Sequence, residues 1–274
     1  TIKTGYVGHG TDIVPVGGKP GDHEWHHGQY MVNHYRDIVK KAAEYKIMLD
    51  VHEPIKATGI RRTYPNMMTR EGARGQEYNA WSGDGGNPPD HTTILPFTRL
   101  LGGPMDFTPG IIDLTFDHAN RIDNRVNTTL AKQLALYVVL YSPLQMAADL
   151  PENYKDEPAF QFIKDVPVDW ETTLVPHGEI GDYVVIVRKD RNSDDWYIAG
   201  ITDENERDLT IELFFLDKNK QYTATIYSDG EDAHWEDNPY SLDIKNMMLK
   251  RMDKLTLRLA AGGGQAIRIT PEIQ

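Results

Sequence analysis

The apolar pattern of this chain changes character near Val166, and that change restricts the fold more than any other feature. Up to about residue 165, short apolar runs alternate with helical patterns. Ile2–Val7 reads as a strand, and a loop rich in Gly, Pro and His follows from Gly8 to Gly28. Tyr30, Met31, His34, Tyr35, Ile38, Val39, Ala42 and Ala43 then repeat at helical spacing. Ile47–His52 is near-continuously apolar, as expected of a strand covered on both faces. A Gly- and Asn-rich stretch, Glu53–Asp90, shows no obvious helix, and loops of that length are usually functional. Thr128–Tyr141 reads as a helix with one apolar face, Leu144–Ala148 as a buried strand, and Glu157–Lys164 as a short helix.

Strand-then-helix units with long loops after the strands predict part of a (β/α)8 TIM barrel over residues 1–166, whose catalytic groups sit after the strands. A complete barrel takes about 250 residues, so roughly half of one is expected, the rest coming from upstream residues or another chain. Thr1 stands where a Met would, and Ile2–Val7 reads like a strand entered midway, so we expect a piece of a longer polypeptide. After Val166 the runs are short and β-rich: 183–188, 196–202, 209–213, 222–227, 254–259 and 266–270, separated by turn residues such as Ser228-Asp229-Gly230. Residues 167–274 are therefore expected to form an antiparallel β-sandwich domain, giving an α/β plus all-β chain.

Composition narrows the function classes. A net charge of −12 argues against nucleic acid, which needs clustered Lys and Arg. Neutral substrates such as sugars carry no such demand. No apolar run approaches the about 20 residues of a membrane span. The absence of cysteine excludes disulfides and thiolate metal sites.

The segment His52–Trp81 carries the chemistry. Glu53 closes a predicted strand, where barrels place catalytic groups, and Glu71 and Glu77 follow in the same Gly-rich loop. Carboxylates brought close together need a cation, an arginine or a retained proton to offset their repulsion. Glycoside hydrolysis uses one protonated and one ionised carboxyl, and further oxygens suit a hard cation such as Ca²⁺. Solvated carboxylates, or ion pairs with Arg61, Arg62, Arg70 and Arg74, are the alternative. His23, His26 and His27 lack a zinc spacing such as H-E-x-x-H. Trp25, Tyr64, Tyr78 and Trp81 would suit sugar stacking, or simply core packing.

His52-Glu53, Thr58-Gly59-Ile60-Arg61-Arg62-Thr63-Tyr64-Pro65-Asn66 and Glu71-Gly72-Ala73-Arg74-Gly75-Gln76-Glu77-Tyr78 closely resemble the family 97 glycoside hydrolases. His91-Thr92-Thr93-Ile94-Leu95-Pro96-Phe97-Thr98-Arg99 and Gly102-Gly103-Pro104-Met105-Asp106-Phe107-Thr108-Pro109-Gly110 are similar to that family as well. The resemblance implies the second half of a catalytic barrel plus a C-terminal β-sandwich, in a calcium-dependent, exo-acting α-glycosidase of the bacterial periplasm or exterior. It implies Glu77 as general acid and Glu53 as general base, His52 as a substrate-binding residue, and Glu53, Glu71 and Glu77 as calcium contacts. Where retaining members carry an Asp nucleophile in a run reading roughly Lys-x-Asp-Phe, this chain reads Lys3-Thr4-Gly5-Tyr6. Gly5 therefore points to the inverting, α-glucosidase-like branch, acting on α-linked oligosaccharides. An upstream base and a calcium-binding glutamate of that branch have no counterpart in this chain. A non-catalytic or carbohydrate-binding fragment, and an α-galactosidase of the same family, are the alternatives.

Overall fold

The computed structural model describes residues 1–5, 12–13, 17–19, 22–116 and 124–272. Its first part is a mixed α/β layer. Strand β1 (Ile2–Thr4) is followed by the short pair β2 (Asp12–Ile13) and β3 (Glu24–Trp25), helix α1 (Gln29–Glu44) and strand β4 (Leu49–Val51). Of the expected strand Ile2–Val7, Tyr6 and Val7 lie outside the described residues. Helix α1 forms where the apolar spacing predicts it, and Met31, Tyr35, Val39 and Ala42 are its buried stripe. They pack on Leu49, Val51 and Met67. The helix ends as Lys46 takes a left-handed φ of 55° and the Ile47 N–H returns to the Ala42 carbonyl.

The stretch expected as a continuous loop from Glu53 holds α2 (Ile60–Thr63), strand β5 (Met67–Arg70) and α3 (Tyr78–Trp81). Strand β5 joins a parallel sheet in the order β1-β4-β5, and Arg70 forms a further parallel bridge to Met105. Four chain segments thus run side by side in one direction. Helix α4 (His91–Ile94) and two 3-10 turns lead to the last of them.

Helix α5 (Leu130–Val139) was expected to bury one face, but all ten of its residues are buried. One side meets Met105 and Phe107, and the other meets Val184, Ile186, Ala199 and Ala266 of the following sheet. Its N-terminus is capped by the Thr129 side chain, which accepts from the Lys132 N–H. The Lys132 amine lies inside the protein and donates to the carbonyls of Pro89 (2.8 Å) and Thr202 (2.7 Å). Burial pushes it down to about 7, against the pull of Glu204, Asp229, Asp203 and Asp90. No strand forms at Leu144–Ala148, which is irregular and only partly buried. The cause is local: Gln145 turns its amide back to the Leu140 carbonyl, and the Ser142 hydroxyl donates to Leu144 O.

Helices α6 (Pro151–Tyr154) and α7 (Phe160–Asp165) lead into an antiparallel β region. It comprises β6 (Trp170–Glu179), β7 (Tyr183–Asp190), β8 (Trp196–Thr202), β9 (Arg207–Glu212), β10 (Tyr222–Asp229), β11 (Leu242–Leu249), β12 (Lys254–Leu259) and β13 (Gly264–Pro271). Six form one sheet in the order β11-β10-β13-β8-β7-β6, and β12-β9 form a second. Val185, Val187, Ile198 and Ile267 of the larger sheet pack on Ile211, Leu255, Leu257 and Leu259 of the smaller. The face opposite that core covers α5.

Candidate active site

The polar residues gather where the parallel segments end. Lys3 lies on β1 with Gly5 just beyond it, Asp50 lies on β4, and His52 and Glu53 follow β4 directly. Glu71 follows β5, and Asp106 follows the bridge at Met105. Asp50 and His52 stand two residues apart and so share one face of the strand, opposite Leu49 and Val51.

His52 is the hub. Its Nε2 is 2.6 Å from Asp106 Oδ2 and 3.9 Å from Asp50 Oδ2, and its Nδ1 is 3.5 Å from Glu71 Oε2. Burial works to lower the imidazole, but the Asp106 hydrogen bond and the Glu71 charge outweigh it, so its affinity for a proton is raised. Asp50 is fully buried, and burial together with the neighbouring Asp106 pushes it up to about 8. The shift favours the protonated form of Asp50. Burial opposes ionisation of Asp106 as well, but bonds from His52 and Asp50 keep that carboxyl below its usual range.

Glu53 adopts φ 40°, a strained conformation for a residue with a side chain. Its surroundings hold it there. The Glu53 carbonyl accepts from Tyr35 Oη at 2.5 Å and lies 2.8 Å from His26 Nε2, while its N–H donates to Glu71 Oε2 at 3.3 Å. Burial pushes Glu71 up, opposed by His52 and the Glu53 N–H and reinforced by the charges of Glu53 and Glu77. Glu71 is itself anchored by Arg99, which donates to the carbonyls of Glu71, Arg70 and Gly103. Gly72 has φ 71°, and a Cβ there would stand 2.9 Å from Arg99 Nε, so the turn needs glycine.

Glu77 opens α3 and remains about half exposed, with Oε1 2.5 Å from Lys3 Nζ. Burial tends to lower the Lys3 amine, but Glu77, Asp106 and Asp50 together hold it above its ordinary value. The turn before α3 is braced from behind, since the Gln76 N–H donates to the Phe107 carbonyl and Gln76 Nε2 donates to Gln133 Oε1 of α5.

The expected site residues thus lie in one region but not in one coordination sphere. His52, Glu53 and Glu71 offer ligand atoms within 4.8 Å of one another, while Glu77 is outside that group and faces Lys3. The arginines point elsewhere: Arg74 pairs with Asp84, Arg70 donates to the Ile55 carbonyl, and Arg61 to that of Gly102. Of the aromatic residues, Trp25 and Trp81 are exposed, and Tyr78 packs edge-on against Trp81. Lys3, Asp50, Asp106 and Arg99 were given no role by the sequence reading. Asp50 was visible as a charged residue in an apolar strand, whereas the partnership of Asp106 with His52 spans 54 positions and has no local signal.

At Gly5, a Cβ would stand 3.0 Å from Glu53 Oε2 and 3.8 Å from His52 Cβ. This position, where a nucleophile was sought, therefore borders the cluster and carries no side chain.

Two family models match the chain, Glycoside hydrolase 97 over residues 1–73 and Glycosyl-hydrolase 97 C-terminal, oligomerisation, over residues 169–270. A solved family 97 enzyme from Pseudoalteromonas sp. strain K8 superimposes with a TM-score of 0.91 at 55% identity, covering 99% of this chain. The chain belongs to glycoside hydrolase family 97. That enzyme has been seen with panose and with acarbose, and the present chain spans 42% of its length. The retaining α-galactosidase of Bacteroides thetaiotaomicron is 37% identical over 231 residues, 83% of this chain and 34% of its own length. A probable retaining α-galactosidase of Streptomyces bingchenggensis is 33% identical over 167 residues, 61% of this chain and 24% of its own length. This family 97 chain therefore spans about a third or less of the curated relatives it matches. Their names overturn the expectation of an inverting α-glucosidase. What stands is membership of family 97, without that branch.

Proposed function

We propose that this chain carries the catalytic carboxylates of a family 97 glycoside hydrolase that cleaves α-linked glycosides. The observation that carries the proposal is the convergence of His52, Glu53 and Glu71 within 4.8 Å at the ends of parallel strands, with Glu77 on the next turn. The parallel segments are taken as part of a (β/α)8 barrel, whose reactive groups follow its strands. Glu77, half exposed, is the proton donor to the leaving oxygen, and Glu53 is a second carboxylate of the reacting centre. His52, the substrate-binding residue of this proposal, is held by Asp106 through Nε2 while its Nδ1 lies 3.5 Å from Glu71 Oε2.

A hard divalent cation belongs to the same proposal, with calcium implied by the family. Glu53 and Glu71 fit it, because they offer paired carboxylate oxygens whose mutual repulsion and burial push Glu71 up. Glu77 contributes charge nearby. Bound there, calcium would supply fixed positive charge to offset the carboxylates and polarise a bound hydroxyl.

The test uses the full-length protein with panose and an aryl α-galactoside as substrates. Glu77→Gln is expected to lower kcat/KM on a substrate with a poor leaving group by about 10²–10⁴-fold, and far less on an activated aryl glycoside. Equal losses on both would remove Glu77 from the acid role. A wild-type protein that cleaves no α-glycoside would remove the hydrolase reading altogether.

A further inference from the structure

Helix α3 carries a tryptophan that the fold fixes but does not bury. Trp81 is 63% exposed, against 49% for Trp25. Its ring is nonetheless held. Tyr78 meets it edge-on with 4.5 Å between centroids, the Arg74 guanidinium lies 3.9 Å from the Tyr78 ring centroid, and Arg74 pairs with Asp84 at 2.8 Å. The turn beneath is pinned by buried Asn79, whose Oδ1 accepts from the Asn87 N–H at 2.7 Å, and by Asn124, whose Nδ2 donates to the carbonyls of Asn79 and Ser82. A single exposed aromatic needs no explanation by itself. This one is set apart by its place. Glu77 has right-handed helical dihedrals at the start of α3, so Trp81, four positions on, shares its face of the turn. Helical side chains lean toward the N-terminus, which carries the indole back over the turn that holds Glu77.

We propose that Trp81 is the platform on which the leaving sugar of the substrate stacks, so that it selects substrates by what lies beyond the bond to be broken. The inference rests on Glu77 as the proton donor. A donor must reach the glycosidic oxygen, and that oxygen joins two rings. His52, Glu53 and Glu71, grouped within 4.8 Å at the strand ends, border the ring that carries the anomeric carbon. The ring on the other side of the oxygen then lies beyond Glu77, along the face of α3 that Trp81 occupies. The chemistry of the two surfaces matches. An indole offers a broad apolar face with negative π charge, and a pyranose ring offers a face of aliphatic C–H groups with slight positive charge. Because Tyr78 and Arg74 hold the indole in advance, stacking on it costs little side-chain freedom.

The test compares two substrates of the full-length protein that share the sugar released: panose with methyl α-glucoside or, for a protein that prefers galactose, melibiose with methyl α-galactoside. Both members of a pair need a proton on the leaving oxygen, but methanol has no ring to stack. Trp81→Ala is expected to lower kcat/KM on the oligosaccharide by about tenfold, chiefly by raising KM, and to change the methyl glycoside by about twofold at most. Trp81→Phe keeps an aromatic face and should stay within about threefold of the wild type on the oligosaccharide. Equal losses on both substrates would mean that Trp81 merely supports Glu77, and would overturn the proposal. So would an unchanged KM for the oligosaccharide, as results if another part of the same chain covers the indole. A wild type that cleaves none of the four substrates removes the hydrolase reading itself, so the two failures are told apart.

Discussion

Replacing Lys132 by Met tests whether an amine at the centre of the molecule is held largely uncharged. The Lys132 side chain is wholly enclosed, and burial lowers it to about 7 from an ordinary 10.5. The sign follows from proton counting. Between those two values the unfolded chain binds a proton that the folded protein does not, so unfolding is favoured as pH falls and stability rises as pH rises. The full difference is on the order of 5 kcal/mol, fully present above the unfolded value and lost below the folded one. From about pH 7.5 to about pH 9.5, this group alone should add roughly 2–3 kcal/mol to the stability of the wild type. That window lies above Asp229, whose carboxyl burial pushes up to about 6. Lys132→Met removes the term, but it leaves the carbonyls of Pro89 and Thr202 without their donor, at about 1–3 kcal/mol each. The two effects oppose one another at neutral pH, so the slope is the quantity to read. Unfolding free energies from urea titrations followed by tryptophan fluorescence across this window should rise less steeply for the variant by roughly 1.4 kcal/mol per pH unit. Equal slopes would refute a buried, mostly neutral Lys132.

Two further predictions concern the site. Asp106→Leu removes the acceptor that orients His52 and should lower kcat/KM by about 100-fold, whereas Asp106→Asn keeps an oxygen and should lose only about tenfold. Steady-state kinetics with an unchanged circular dichroism spectrum would check this, and a fully active Asp106→Leu would show that His52 needs no such support. Glu53→Asn should relieve the left-handed backbone by about 1 kcal/mol, because Asn tolerates that conformation. The thermal midpoint should then rise by about 2–4 °C while hydrolysis is lost. A lower midpoint would mean that the Glu53 side chain stabilises the fold it strains.

Much of the fold is legible where periodicity is strong. The stripe Met31, Tyr35, Val39 and Ala42 predicts α1, and the alternating or continuous apolar runs predict β7, β8, β10 and β12. Elements were missed where their side chains face water or function. Strand β11 carries Asp243, Lys245 and Asn246 because it is an edge, and β6 is mostly exposed for the same reason. Strand β5, Met67-Met68-Thr69-Arg70, is too short to show a period and lies among loop residues. Helix α5 was found, but its second buried face was not, since Lys132 and Gln133 look like a solvent side until the sheet packs over Lys132 and the Gln76 turn over Gln133. Within the site, the motif residues His52, Glu53 and Glu71 lie beside one another, while Glu77 faces Lys3. The buried acids that tune His52 depend on neighbours far along the chain.

The enclosure of α5 also bears on how the polypeptide is made. Synthesis delivers the helix before the strands that wall it in. Its Val138 carbonyl waits for Arg188, 50 residues later, and its Lys132 amine for Thr202, 70 residues later. Until β13 emerges, an apolar helix has one side open to water and to other nascent chains. Because Gln133 of that helix braces the turn before Glu77, seating the helix against the sheet also seats that turn.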